Sequence, residues 1–401
     1  MTTADRVEDL RAQLVAQLRE AGALVSASVR AAMEAVPRHL FVPGVPVDEA
    51  YANQAVITKR DAGGQPISSA SQPSIVAVML EQLDVRPGHR VLEVGAGTGY
   101  HAALLRRLVG ARGAVTSIDI DPELADQARR ALGATGYGDV HVITGDGGLG
   151  HEANAPYDRI VITAGAWDVP PAWWEQLSEG GRLVVPLRWR GHTRSVAFDH
   201  HGAYMLSRSA ERCGFLPMRG SDGEDALSLG DGSVTIAYDE DQLVDREGLM
   251  QVLSLPRQEA WSGIAVGGYD SLDELWLWLT TVEPGTCQIA AQPSAVDSRM
   301  VTPAIPARTL ALIDGASLAY LTVRPEPDAG SGQPRRHELG AVGHGNGDIA
   351  HRLVERIREW HARGDSAVPS ITAYPSRTLA DLPPGASAIR KRHISMQLSW
   401  G

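Results

Sequence analysis

Apolar residues recur at helical spacing from the first residues of the chain. Val7, Leu10, Leu14 and Leu18 share one face and predict an amphipathic helix over the first twenty residues. A second helix is expected from Ser28 to Val36, ending before Pro37. Residues 44–73 lose any period, with Gly63, Gly64, Pro66 and Pro73 interrupting, and are read as irregular. A helix is expected again over Ser74–Leu83. From Arg90 the pattern switches to short apolar runs alternating with helical ones. Strands are expected at Val91–Val94, Val115–Ile118, Val140–Thr144, Arg159–Thr163 and Arg182–Pro186, with helices at Tyr100–Val109 and Pro122–Leu132. Such alternation predicts a mostly parallel, doubly wound α/β sheet covered on both faces. Ser195–Asp199 and Tyr204–Ser207, flanking His200-His201-Gly202, suit a hairpin at the far edge of that sheet.

A turn-rich acidic stretch, Gly220 to Ser233, breaks the pattern, and the expected division is 1–222 and 223–401. The second part reads as an α+β domain. It has helices at Ser271–Val282 and Asn346–Ala362 and a hairpin turning at Asp314-Gly315. An alternating strand closes it, through Ile394, Met396, Leu398 and Trp400.

Composition changes this picture little: 401 residues suffice for two domains, and 43% hydrophobic content is that of an ordinary globular chain. No apolar run approaches the roughly 18 residues of a membrane helix, and the N-terminus lacks a secretion signal, so a cytoplasmic protein without a membrane partner is expected. A net charge of −11 argues against nucleic acid as a general partner. Cys213 and Cys287 are too few and too distant for a disulfide framework or zinc site, and read as buried small residues. No metal is expected; His351 and His361 fall on different faces of one helix.

Glu93-Val94-Gly95-Ala96-Gly97-Thr98-Gly99 lies between the first strand and its helix. Glycines there permit a sharp turn and close approach to a ligand, at the strand ends where such sheets bind ligands. A tight turn without a ligand is the plainer alternative. Asp119 ends the second strand, where a carboxylate can accept both hydroxyl bonds of a ribose; Asp121, just before Pro122, suits a helix cap instead. Asp146-Gly147 ends the third strand, in reach of an adenine edge. No third glycine follows at dinucleotide spacing, and the leading Glu93 is ill suited to a pyrophosphate.

With Val36-Pro37-Arg38-His39-Leu40-Phe41-Val42-Pro43, Val91 through Tyr100, Gly145-Asp146-Gly147, Ala155-Pro156-Tyr157-Asp158 and Gly180 through Pro186 in this order, the chain resembles the protein-L-isoaspartate O-methyltransferases over about residues 30–220. The resemblance implies a Rossmann-like class I methyltransferase domain using S-adenosyl-L-methionine and releasing S-adenosyl-L-homocysteine. It also implies a cofactor site formed by Glu93, Gly95, Ala96, Gly97, Thr98, Gly99, Tyr100, Asp119, Ile120, Asp146 and Gly147. The acceptor would be a protein or peptide bearing aspartate or isoaspartate; the oligomeric state is left open. Asn154-Ala155-Pro156-Tyr157 imitates an amino-methyltransferase tetrad but precedes its strand instead of following it.

The chain departs from the family at the acceptor loop, Gly64-Gln65-Pro66-Ile67-Ser68-Ser69-Ala70-Ser71-Gln72-Pro73. Pro66 stands where the family has threonine, and three residues are added. Aligned on Pro73, Ser71 inherits the hydroxyl beside the acceptor carboxylate; aligned on Ile67, Ser68 does. A carboxylate is already ionised at neutral pH, so no general base is required, and His39, His101 and His151 receive no chemical role. The altered loop and the added 180 or so residues resemble extended members that methylate aspartate in ribosomally made peptides, leading to aspartimide. The second domain would then bind the peptide, with Arg390-Lys391-Arg392-His393 either holding an acidic segment or forming a solvated face. The rivals are a repair methyltransferase with an accessory domain and a non-catalytic adaptor.

Overall fold

The computed structural model describes residues 3–220, 223–268, 270–326, 336–346, 348–364, 369–376 and 388–400. Its first sheet has ten strands, in the spatial order 388–390, 394–399, 370–375, 205–212, 192–200, 177–189, 157–162, 90–94, 114–119, 141–144. The last five in that order are parallel, and the remaining pairings are antiparallel. Within the parallel part the chain order is reversed about 90–94, which opens a crevice over the carboxyl ends of the strands at that switch point. Helices Tyr100–Val109 and Pro122–Ala134 follow the first two parallel strands. Two apolar cores result, one on each face of the sheet.

Local chemistry accounts for the element ends. Asp121 caps the helix Pro122–Ala134, accepting from the backbone N–H groups of Glu123 and Leu124, and Pro122 supplies the fixed φ of a first helical residue. Helix Pro73–Leu83 ends on Asp84 at φ +48°, a left-handed stop.

Residues 44–73 differ from expectation. Val56–Arg60 and Pro66–Ala70 pair as an antiparallel hairpin. Gly63, Gly64 and Pro66, taken as breaking all structure, instead turn and open its strands. The hairpin 192–200/205–212 forms as expected, but it is not at the edge of the sheet, because 370–375 pairs with 205–212.

The second sheet has seven antiparallel strands, ordered 224–229, 234–239, 286–291, 309–314, 317–325, 336–344, 257–267. Helices Asp273–Val282 and Asp348–Arg363 contribute to its core. The expected cut at 222/223 falls where residues 221 and 222 lie outside those described, and the sheets divide the chain differently at its other end. Strands 370–375, 388–390 and 394–399 return to the first sheet. The alternation of Ile394, Met396 and Leu398 reports a pleat with one buried face, and that face joins a core of the first sheet.

The two sheets are tied by buried contacts. Trp189 Nε1 donates to Thr280 Oγ1 at 3.2 Å, and Trp276 Nε1 to the Arg190 carbonyl at 2.9 Å. Arg190 pairs with Asp239 at 3.0 Å and also with Asp241. Lys391, the centre of the basic run, points inward: its Nζ lies 3.4 Å from the Trp167 ring centroid and donates to the Arg188 carbonyl at 2.7 Å. Arg392 pairs with Glu240 at 3.5 Å. The run is therefore in part a seam between domains. Among the described residues no helix is long and apolar enough to cross a membrane.

Candidate active site

The turn after the first parallel strand is drawn tight against the second. Gly95 N and Ala96 N donate to the Ile118 carbonyl at 2.7 and 3.1 Å, and Gly97 N donates to Asp119 Oδ2 at 2.9 Å. Gly95 sits at φ +103°, and a Cβ there would lie 2.3 Å from Thr163 Oγ1; Gly97 is at φ +51°, where a Cβ would project toward the Ser69 carbonyl. Only glycine meets both demands. The turn, the strand tips and the hairpin enclose a crevice of about 760 Å³, ample for a cofactor and an acceptor side chain at the usual scale of roughly 300–1,000 Å³.

Of the residues expected at the cofactor, Gly95, Ala96, Gly97, Thr98, Tyr100, Asp119, Ile120, Asp146 and Gly147 line the crevice. Asp119 Oδ1 accepts from Asp121 N at 3.0 Å, so both carboxylate oxygens are oriented by backbone yet keep lone pairs for a further donor. Asp146 Oδ1 accepts from Gly148 N at 2.8 Å, and Trp173 Nε1 fixes the Gly147 carbonyl at 2.8 Å.

Glu93 and Gly99 do not line it. Glu93 is fully buried, with His101 Nδ1 at 2.7 Å and the Ser117 hydroxyl donating to its other oxygen. A buried carboxylate needs such partners, and they turn it behind the loop. Gly99 opens its helix at φ +83°, where a Cβ would meet the Ala128 backbone at 3.3 Å; it serves helix packing. His101, given no role from sequence, does face the crevice and orients Glu93 behind it.

Both candidate serines of the 64–73 loop, Ser68 and Ser71, line the same crevice. Ser68 is buried in the hairpin and its Oγ accepts from Thr58 Oγ1 at 3.1 Å; Ser71 lies just past the strand, before helix Pro73–Leu83. The hairpin is fastened across the crevice by Lys59, whose Nζ donates to Asp121 at 2.8 and 2.9 Å and to Glu123 at 2.7 Å. Burial alone would raise the Asp121 pKa, but the Lys59 bond and the two backbone donors hold it below the usual carboxylate value.

Sequence reasoning missed the rest of this wall. Residues 212–219 run along it, pinned by Gly165 N to the Leu216 carbonyl at 2.8 Å and Met218 N to the Gly165 carbonyl at 2.9 Å. The one hint was an apolar run, Phe215 to Met218, with no strand period to explain it. Cys213, expected as fully buried, is half-buried here; burial pushes its thiol up to about 12, so it is no thiolate nucleophile at neutral pH. Arg38 and Asp273, the latter from the second domain, also face the crevice.

The donor set at the loop end suits a nucleoside-type cofactor. Two carboxylates, Asp119 and Asp146, line the crevice; such groups can accept from hydroxyls and an amine and would repel a pyrophosphate.

A family model described as protein-L-isoaspartate(D-aspartate) O-methyltransferase matches residues 9–223. The chain is 44% identical over 216 residues to the protein-L-isoaspartate O-methyltransferase of Methanopyrus kandleri, covering 53% of this chain and 92% of that one. It is 45% identical over 201 residues to protein-L-isoaspartate O-methyltransferase 1 of Archaeoglobus fulgidus, covering 50% and 88%. A solved structure titled protein-L-isoaspartate O-methyltransferase shares the fold at a TM-score of 0.51 and 22% identity, over 90% of this chain and 96% of that one. That likeness runs well beyond residue 223, so the second domain is not peculiar to this chain. The chain therefore belongs to the protein-L-isoaspartate(D-aspartate) O-methyltransferases, which are S-adenosylmethionine-dependent enzymes.

Proposed function

We propose that this enzyme methylates the free carboxylate of an isoaspartyl or aspartyl residue in a protein or peptide. The observation that carries the reading is the crevice itself, whose wall holds both the glycine turn and the hydroxyl-bearing segment Ser68 to Ser71. When bound, S-adenosylmethionine supplies an electrophilic methyl group. The protein's part is to hold and exclude. Asp119 would accept the ribose hydroxyls, Asp146 and the Gly147 backbone would meet the adenine edge, and Ser71, or Ser68 in the other alignment, would donate to the acceptor carboxylate. That carboxylate is already ionised, so no residue need remove a proton, and rate enhancement comes from alignment in a site shielded from water. In the ester so formed, the next backbone nitrogen can attack the carbonyl. The C–O bond breaks, the nitrogen's proton leaves with methoxide as methanol, and a succinimide remains.

A second reading, modification of an L-aspartyl residue in a ribosomally made precursor peptide, draws support from the altered loop with Pro66 and from Asp273 of the second domain on the crevice wall. The mere presence of a second sheet does not favour it, since the solved structure titled protein-L-isoaspartate O-methyltransferase shares the fold over 90% of this chain. Incubation with methyl-labelled cofactor and three acceptors decides: an isoaspartyl peptide, its L-aspartyl twin, and a candidate precursor. Label transferred with the isoaspartyl peptide alone, as ester or as released methanol, supports repair; labelled methanol released with the precursor, whose mass falls by 18 units, supports the second reading. Label neither in any peptide nor in methanol defeats both.

A further inference from the structure

The signature Val36 to Pro43 lies in the part of the chain matched to the family, yet nothing in the mechanism above uses it. Its arginine is one of the few buried cations among the described residues with no carboxylate partner. Arg38 is 1% exposed, and its guanidinium reaches three carbonyls: Nε donates to Ala50 at 2.9 Å, and Nη2 donates to Ser71 at 2.9 Å and Ala70 at 3.4 Å. Its Cζ sits 5.1 Å from the centroid of Tyr100, itself on the crevice wall. Nη1 is buried with no partner, and among the described residues no carboxylate pairs with this cation.

Two physical consequences follow. A planar fork that bonds consecutive carbonyls fixes the backbone that bears them, and here that backbone carries the acceptor-loop serine. A buried cation without an anion is costly, and the cost is relieved by any anion brought to the same wall. A carboxylate is the anion that the reaction brings. It has two sources, the acceptor residue and the methionyl end of the cofactor. The hydrogen bonds of Arg38 run to the carbonyls of Ala50, Ala70 and Ser71 and none to the Gly95–Gly99 turn, which favours the acceptor.

The geometry points to Arg38 as a positioning residue of the acceptor end: it holds the Ala70–Ser71 backbone and places an uncompensated positive charge behind it, so that this wall receives a carboxylate. The inference rests on the reading that the acceptor enters beside Ser68 to Ser71.

The test compares wild type with Arg38→Met and Arg38→Lys by peptide KM, kcat, cofactor affinity by calorimetry, and melting temperature. The expected result for Arg38→Met is a peptide KM raised at least about tenfold, the usual worth of hydrogen bonds to a charged group, with cofactor affinity within about twofold. Arg38→Lys, which keeps the charge without the fork, should recover part of the KM. An unmoved peptide KM overturns the inference. So does cofactor affinity that falls in step, which would assign the charge to the cofactor's own carboxylate. Should neither variant fold, wild type suffices: an isoaspartyl peptide must compete about tenfold better than the same peptide with its carboxylate amidated. Equal competition overturns the inference. Failure of wild type to methylate any carboxyl peptide would instead defeat the functional reading.

Discussion

Two parts of the crevice wall are built by different means. In the part proposed for the cofactor, one continuous turn and the tips of adjacent parallel strands supply the wall, with bonds from backbone to a carboxylate a strand away. In the part proposed for the acceptor, Arg38, the hairpin 56–70, residues 212–219 and Asp273 converge from four distant stretches. The first part can be transplanted with the fold. The second can be retuned piece by piece, which is where members of one family would diverge in substrate.

Substitutions can break or sharpen this contrast. The largest effect is expected where the acceptor wall is braced from behind. Gly165, which pins residues 216–218, is followed by Trp167, and Lys391 lies on that ring. Burial lowers the Lys391 pKa to about 8. Between there and the ordinary lysine value the unfolded chain holds a proton that the folded chain lacks, so stability rises with pH across that window. Denaturation of wild type and Lys391→Met at pH 7.5 and 10.5 should show wild type gaining about 3 kcal/mol relative to the variant; parallel curves would mean that this lysine stays charged.

Gly97→Val should come next. It forces a branched residue to φ +51° and fills the crevice, and cofactor affinity by calorimetry should fall at least about a hundredfold. Asp119→Ala should cost about thirtyfold in cofactor affinity and leave peptide KM nearly unmoved; an effect on the peptide alone would break the division between the two parts. Ser71→Ala should lower kcat/KM for the peptide about tenfold with cofactor affinity intact, while Ser68→Ala does little. The reverse pattern would move the role to Ser68. Smallest is Asp273→Asn, exposed and facing Arg212 at 3.7 Å. It should change KM by about threefold, and only for peptides with a cationic neighbour to the acceptor.

The parallel strands, their helices and the glycine turn were legible because their signals are local: apolar runs of strand length, Asp121-Pro122 at a helix start, glycines at positive φ. The same locality misled at Glu93 and Gly99. Both belong to the motif, yet one lies on a buried strand face and the other at a helix contact. The hairpin 56–70 was lost because its turn residues dominate a short window. The strand at 394–399 was seen as a strand, but alternation says which side chains share a face, not which sheet they meet.

By itself the sequence determined the Rossmann-like core, the glycine turn and the acidic residues at the tips of the next two strands, because each depends on residues within successive βα units. Tertiary structure alone decided that the chain's end completes the first sheet, that the basic run is a seam, and that Arg38 stands behind Ser71. Those contacts join residues tens to hundreds of positions apart, and no periodicity encodes the partner of a buried charge.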